Sequence, residues 1–439
     1  MRSRLHVLLL VSALVSGTPR HAAAQTAMPS ESMRRMGSGT SWIPAAVGLP
    51  ARGLMLGQWD VMLHGAANAQ FDRQSGPRGG TQVGSINWGM VMASRPLSGG
   101  TLTLRGMFSL DVLGVTPRGY PLLLQSGETY RGLPLHDRQH PHDALMETAV
   151  MFSHPLAGPF GLELYAAPVG EPALGPPAFM HRPSAMDNPA APIGHHWQDA
   201  THISYGVVTA GLTGSRWKLE GSAFNGREPD ANRWNVDPIR LDSYAGRASY
   251  APSDRWTASA SYGYLASPEA LHPEDSEHRI TAALLYGREL PRGGFWATTA
   301  VWGANAHATT PGLAHSVLIE SERTLGANAV FARAEFVQKS ADELAVDPAR
   351  IGVPADHLFP VSAWSLGYVR EVHQWAALSA GLGTMATLNV VPANLAGAYG
   401  SRTPAGLFVF LRIRPSSAAT APMMMMHDMG STQALHPEP

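Results

Sequence analysis

Residues Trp59 to Ile413 alternate polar and apolar side chains in short runs, and the connectors between the runs alternate too, short then long. Short connectors include Arg95–Gly100, Leu212–Arg216, Ala251–Asp254 and Glu371–Gln374; Leu113–His142 and Gly170–Ala200 are long. A two-residue period puts successive side chains on opposite faces of a strand. Alternating connector length adds a second constraint, because transmembrane β-barrels have tight periplasmic turns at one end and long external loops at the other. A soluble all-β chain has no reason to alternate its connectors.

The first run sets Trp59, Val61, Leu63, Gly65, Ala67, Ala69 and Phe71 against Asp60, His64, Asn68, Gln70 and Asp72. The third sets Leu102, Leu104, Gly106, Phe108, Leu110 and Val112 against Thr101, Thr103, Arg105, Ser109 and Asp111. Runs of this kind predict an all-β, antiparallel transmembrane barrel of about 16 strands (roughly 14–18), with both termini periplasmic. Aromatic placement agrees. Trp59, Trp217, Trp256, Trp296, Trp375 and Phe160 fall at or near the starts of odd-numbered runs, where Trp favours a half-wet membrane interface.

The ends predict export. Arg2 and Arg4, the apolar Val7–Val15 and the small residues Ala22, Ala23 and Ala24 read as a cleaved secretory signal over residues 1–24. Residues 25–53, with Met28, Met33 and Met36, are expected to be flexible, residues 54–414 to form the barrel, and residues 415–439 a disordered tail. No stretch offers the ~18 apolar residues of a membrane helix, so membrane residence must use strands. A net charge of −1 gives no footprint for nucleic acid, and zero cysteines remove thiolate ligands and disulfides.

Unusual chemistry gathers in the long loops. One string runs Leu135 to Asp143, a second Gly170 to Asp199 and on to His202, and a third Asn225 to Asp230 with Arg233 and Trp234. Prolines stiffen all three. Loops after strands three and five lie near each other on the wall and fold inward as a plug or constriction. His136, His140, His142, His181, His195, His196 and His202 form a candidate imidazole set for Zn²⁺ or Cu²⁺, with Asp137, Asp143 or Asp199 completing or orienting it. The plainer reading is a metal-free hydrogen-bonded network, because His-Pro-His lacks the i, i+4 spacing of helical zinc motifs. Ser184, Ser204 or Ser222 beside a histidine would suit a barrel-borne hydrolase, although no nucleophile motif frames them. In the tail, Met423, Met424, Met425, Met426, His427 and Met429 cluster thioethers with an imidazole, a soft set suited to Cu(I) or Ag(I).

The strings Asp137–Asp143, Gly170–Arg182, His195–His202 and Asn225–Asp230 resemble an uncharacterised family of bacterial outer-membrane barrels, over about Gly57 to Ile413. That family is often encoded near copper and other heavy-metal resistance and efflux systems. The resemblance implies a barrel in the outer membrane of a Gram-negative-type bacterium, embedded in lipid, in a metal-resistance setting. It assigns no ligands or catalytic residues. The leading expectation is therefore a barrel that binds or passes metal ions, copper or silver above others, with a periplasmic efflux or chaperone component as partner. The alternative is a general porin or small-solute channel whose loop network is structural; a hydrolase is third.

Overall fold

The computed structural model describes residues 34–307 and 312–416. The expected signal, residues 1–24, and the tail residues Met423, Met424, Met425, Met426, His427 and Met429 lie outside the described residues.

The wall begins with β1 (Trp59–Gln74), β2 (Gly80–Leu97), β3 (Gly100–Phe108) and β4 (Leu145–Pro155). It continues through β5 (Gly161–Gly170), β6 (Ser204–Thr213), β7 (Trp217–Phe224) and β8 (Ser243–Ser253). Next come β9 (Trp256–Ala266), β10 (Ser276–Leu290), β11 (Gly294–His307) and β12 (Ala314–Leu325). Last are β13 (Asn328–Lys339), β14 (Phe359–Gln374), β15 (Leu378–Val390) and β16 (Ala405–Pro415). Chain neighbours pair antiparallel, and β16 returns to β1 from Ala67↔Ile413 to Gln74↔Gly406, which closes the barrel. The sheet has 17 strands; the extra one, Ala51–Leu56, covers only the periplasmic half of the β1 edge, leaving 16 in the wall.

Short turns stand where the connectors predict. Ser98 and Gly99 link β2 to β3 with φ of 48° and 75°, the left-handed pair that suits a two-residue hairpin. Burial is inverted relative to a soluble protein. Leu104, Val150, Val208, Leu219, Ile319, Leu366 and Val409 face outward and are exposed, whereas Arg105, Glu147, Glu220, Arg247, Glu320 and Arg333 of the same wall are buried. Lipid takes the apolar face, and the charged face lines the lumen.

Two elements differ from expectation. The third strand stops at Phe108 and not at Val112, because Asp111 accepts the Asn87 amide at 2.6 Å and begins a helical turn, Asp111–Gly114. The described part of the segment expected to be flexible is instead folded inside the barrel. Ser38, Thr40, Ser41, Ile43 and Val47 are buried, and Met36 bridges to Trp42. Oxygens of this segment attract luminal cations: Arg105 donates to the carbonyls of Gly37 (3.2 Å) and Gly39, Lys218 to the Thr40 carbonyl, and Arg247 to the Thr40 hydroxyl (2.9 Å). Backbone groups taken out of water need such partners.

Candidate functional site in the luminal plug

Two long loops enter the lumen, 109–144 between β3 and β4 and 171–203 between β5 and β6, and a third, the largely exposed 225–242 between β7 and β8, reaches them through Glu228 and Arg233. Of residues 171–203, all but Met186 and Ala200 are buried, so this loop forms a plug. Wall groups hold it at many points. Arg182, itself in the plug, reaches Glu320 of β12 (Nε–Oε1 2.8 Å), and Arg333 of β13 binds the same carboxylate at 2.8 Å and the Ala190 carbonyl at 2.8 Å. Asp187 receives Arg412 and, at 2.9 Å, Arg414, both from the last strand. Ser222 and Ser261 accept the Ala173 and Gly175 amides, each at 2.8 Å.

Five of the seven loop histidines named from the sequence come together. Ring centroids step from His140 to His142 (6.2 Å), His202 (5.6 Å), His195 (5.1 Å) and His196 (5.4 Å). The local fold aims each ring. His195 and His196 share a helical turn, His195–Gln198, which sets His195 Nδ1 2.6 Å from Asp199 Oδ1. His202 Nδ1 lies 2.9 Å from the Asp199 carbonyl, and His142 Nδ1 2.8 Å from Asp111 Oδ2. The ends of the row converge on carboxylates: His140 Nε2 is 2.7 Å from Glu128 Oε1, and His196 Nδ1 is 2.6 Å from Glu228 Oε1. Glu128, His196 and Glu228 each present an atom within 4.8 Å of the others. Arg233 sits 3.4 Å from both Glu128 and Asp143 and carries the third loop into the cluster.

Burial dominates the electrostatics. It pushes His140 and His196 down to about 4 and His202 well below the usual imidazole range. These rings are neutral at pH 7, so the close carboxylate contacts of His140 and His196 are not full ion pairs. Burial would raise Glu128, but His140 and then Arg233 outweigh it and hold its carboxyl low. Glu228 moves the other way, raised by burial and by the neighbouring charge of Glu128. Nε2 of His196 and of His202 is buried without a hydrogen-bond partner. Two carboxylates beside imidazoles with free nitrogens form a donor set that fits a divalent cation of the Zn²⁺ or Cu²⁺ type.

The other two histidines stand apart. His136 is part-exposed beside Arg78 and Asp137, and His181 packs on His64 and Trp88. The three serines find partners other than histidine: Ser184 with Thr299 and Glu320, Ser204 with the Thr201 carbonyl, and Ser222 with Thr209 and the Ala173 amide. Glu128 and Glu228 were not singled out as ligands from the sequence. Glu228 lies within a noted loop string, but Glu128 is an ordinary acidic residue until a short hairpin, Glu128–Tyr130 with Leu133–Leu135, turns it inward. Below the plug lies a cavity of about 920 Å³, bordered by turn residues such as Gly293 and Gly326 and therefore at the periplasmic end.

No protein-family model matches the chain, and neither does any curated protein. Among solved structures, the chain is similar to Salmonella typhi OmpF in complex with daunomycin, at 8% identity, TM-score 0.50, with 82% of this chain and 99% of that one covered. It also aligns with an anion-selective porin from Comamonas acidovorans at 10% identity and TM-score 0.46, covering 81% and 99%. The architecture is thus that of an outer-membrane porin barrel.

Proposed function

We propose that the protein is a porin-type channel of the outer membrane whose lumen is shut by its own second long loop, so that small solutes or ions cross only when that loop moves. The observation that carries this reading is the burial of residues 171–203 inside a closed barrel, tied to the wall through Arg182, Asp187 and Ala190. A wide barrel without such a filling leaves a water channel. Planar-bilayer recording tests it. The intact protein should be closed for most of the record, and a variant lacking residues 176–198 should conduct steadily. Equal, continuous conductance from both would overturn the proposal.

A second reading draws on the Glu128, His196 and Glu228 cluster: binding or passage of metal ions in heavy-metal resistance, with copper or silver as the favoured cargo. The oxygen and imidazole donors suit Zn²⁺ or Cu²⁺ better than Cu(I) or Ag(I). The softer ions would instead be captured by the Met/His tail, the natural contact for a periplasmic efflux or chaperone partner. Calorimetric titration separates the two sites. Glu228→Gln should weaken divalent binding at least tenfold, and deletion of residues 422–429 should reduce Ag(I) binding and copper tolerance. Unchanged binding in both variants dismisses the metal reading while leaving the channel reading intact.

A further inference from the structure

Arg105, Glu147, Glu220, Arg247, Glu320 and Arg333 give β3, β4, β7, β8, β12 and β13 charged inward positions, whereas β1 and β2 bring methionine and histidine together on theirs. Here the register pairs Met62 with Met92 and His64 with Met90 directly across the two strands, and all four are buried. Directly opposite residues on one face are the closest side-chain neighbours a sheet offers. His64 Nε2 lies 3.0 Å from Met90 Sδ. Over this pair the plug lowers His181, whose ring centroid is 5.3 Å from that of His64 and 4.8 Å from that of Trp88. His181 is 1% exposed, and neither of its ring nitrogens has a hydrogen-bond partner.

That last fact is the anomaly. A buried polar group without a partner is costly, and an imidazole with both nitrogens unused is rare in a packed interior. If packing alone were at issue, an aromatic or aliphatic side chain would fill the place of His181 better. Methionine by itself is an ordinary gap-filler, but a thioether in contact with a buried imidazole that itself packs edge-on against a second is a ligand arrangement. Access exists as well: Met62, His64 and Met92 line the 920 Å³ periplasmic cavity together with Met36 and Met186.

We propose that Met90, His64 and His181 form a binding site for a soft monovalent metal ion, of the Cu(I) or Ag(I) class, at the ceiling of the periplasmic cavity. The donors are two imidazole nitrogens and one thioether sulfur, with Met62 and Met92 as the approach from below. Thioether and imidazole ligands without carboxylate select soft ions over Zn²⁺, which sets this site apart chemically from the Glu128, His196 and Glu228 cluster. The proposal holds whether or not the barrel conducts.

Trp88 supplies a local reporter. Full-length protein refolded in detergent is titrated with Ag(I) and followed by tryptophan fluorescence, with Trp88→Phe as the subtraction that isolates this one indole. Binding should quench the Trp88 component, and a tenfold excess of Zn²⁺ should leave the quench in place. Met90→Leu and His181→Gln should each raise the Ag(I) concentration at half-quench at least tenfold, with folding checked by heat-modifiable electrophoretic mobility. No Trp88-dependent quench in the unmodified protein overturns the site, a result that needs only the conservative Trp88→Phe variant to fold. Displacement by Zn²⁺, or an unchanged titration in folded Met90→Leu, overturns it equally.

Discussion

Replacing Arg182 by Met tests the plug at its most buried charge. Arg182 is 0% exposed; its Nε is 2.8 Å from Glu320 Oε1 and its Nη1 3.4 Å from Asp199 Oδ2. Methionine keeps most of the length and removes the charge. Breaking a buried ion pair by deleting one partner costs about 3–5 kcal/mol, because the other charge is left unpaired. Here neither partner is fully stranded: Glu320 keeps Arg333 at 2.8 Å, and Asp199 keeps His195 at 2.6 Å. The lower end, about 3 kcal/mol, is therefore the expected loss to the closed state. When the loop leaves the lumen Arg182 reaches water, so the open state loses little. At about 1.4 kcal/mol per factor of ten, open occupancy should rise on the order of 100-fold. Single-channel recording at neutral pH reads this directly, with the variant lacking residues 176–198 as the fully open reference. If folded Arg182→Met is as silent as the unmodified protein while the deletion conducts, the Arg182 contacts do not hold the plug.

Acid should loosen the same plug. His140 and His196 fall from 6.5 to about 4 on burial, so a displaced loop binds protons that the seated loop does not. The stability lent by the neutral rings is complete above pH 6.5 and lost as pH falls toward 4, while the buried Glu171 carboxyl, pushed up to about 8, acts in the opposite sense; opening between pH 6.5 and 4 that His196→Gln removes supports this, and an identical pH profile in that variant refutes it. Gly175 has φ +82°, and a Cβ there would lie 2.2 Å from the Gln198 carbonyl. Gly175→Val should therefore unseat the two ends of the plug and expose the buried Phe179 and Trp197 to externally added chymotrypsin; cleavage no faster than in the unmodified protein would count against that close approach.

The wall was legible because its signals are local. Alternation at Trp59–Phe71 and the Trp residues opening β7 and β9 depend only on neighbours in the chain, and lipid outside with charge inside keeps the two-residue period clean. Inward folding of the loops was legible from their prolines and charges. The site was only partly so. His140, His142, His195, His196 and His202 were named, but Glu128 joins them through a hairpin no periodicity announces. His64 pairs with Met90 through a register that exists only once β1 and β2 are aligned. The segment around Ile43 and Val47 reads as a linker because Gly, Ser and Pro surround it; its partners are wall cations far away in the chain, such as Lys218 and Arg247.

That inward segment has a mechanical consequence. In a simple barrel each strand is held only by its two neighbours, so one failed ladder unzips the ring. The ladder between first and last strands has eight residue pairs, against fifteen between β1 and β2. Residues 35–50 run from this seam to Arg105, Lys218, Arg247 and the 254 turn, where Arg35 meets Asp254 at 3.0 Å. They act as a tie-rod across the ring. Lateral pressure that flattens the cylinder must strain this brace as well as the ladders, so the seam can spread only by dragging on the far wall.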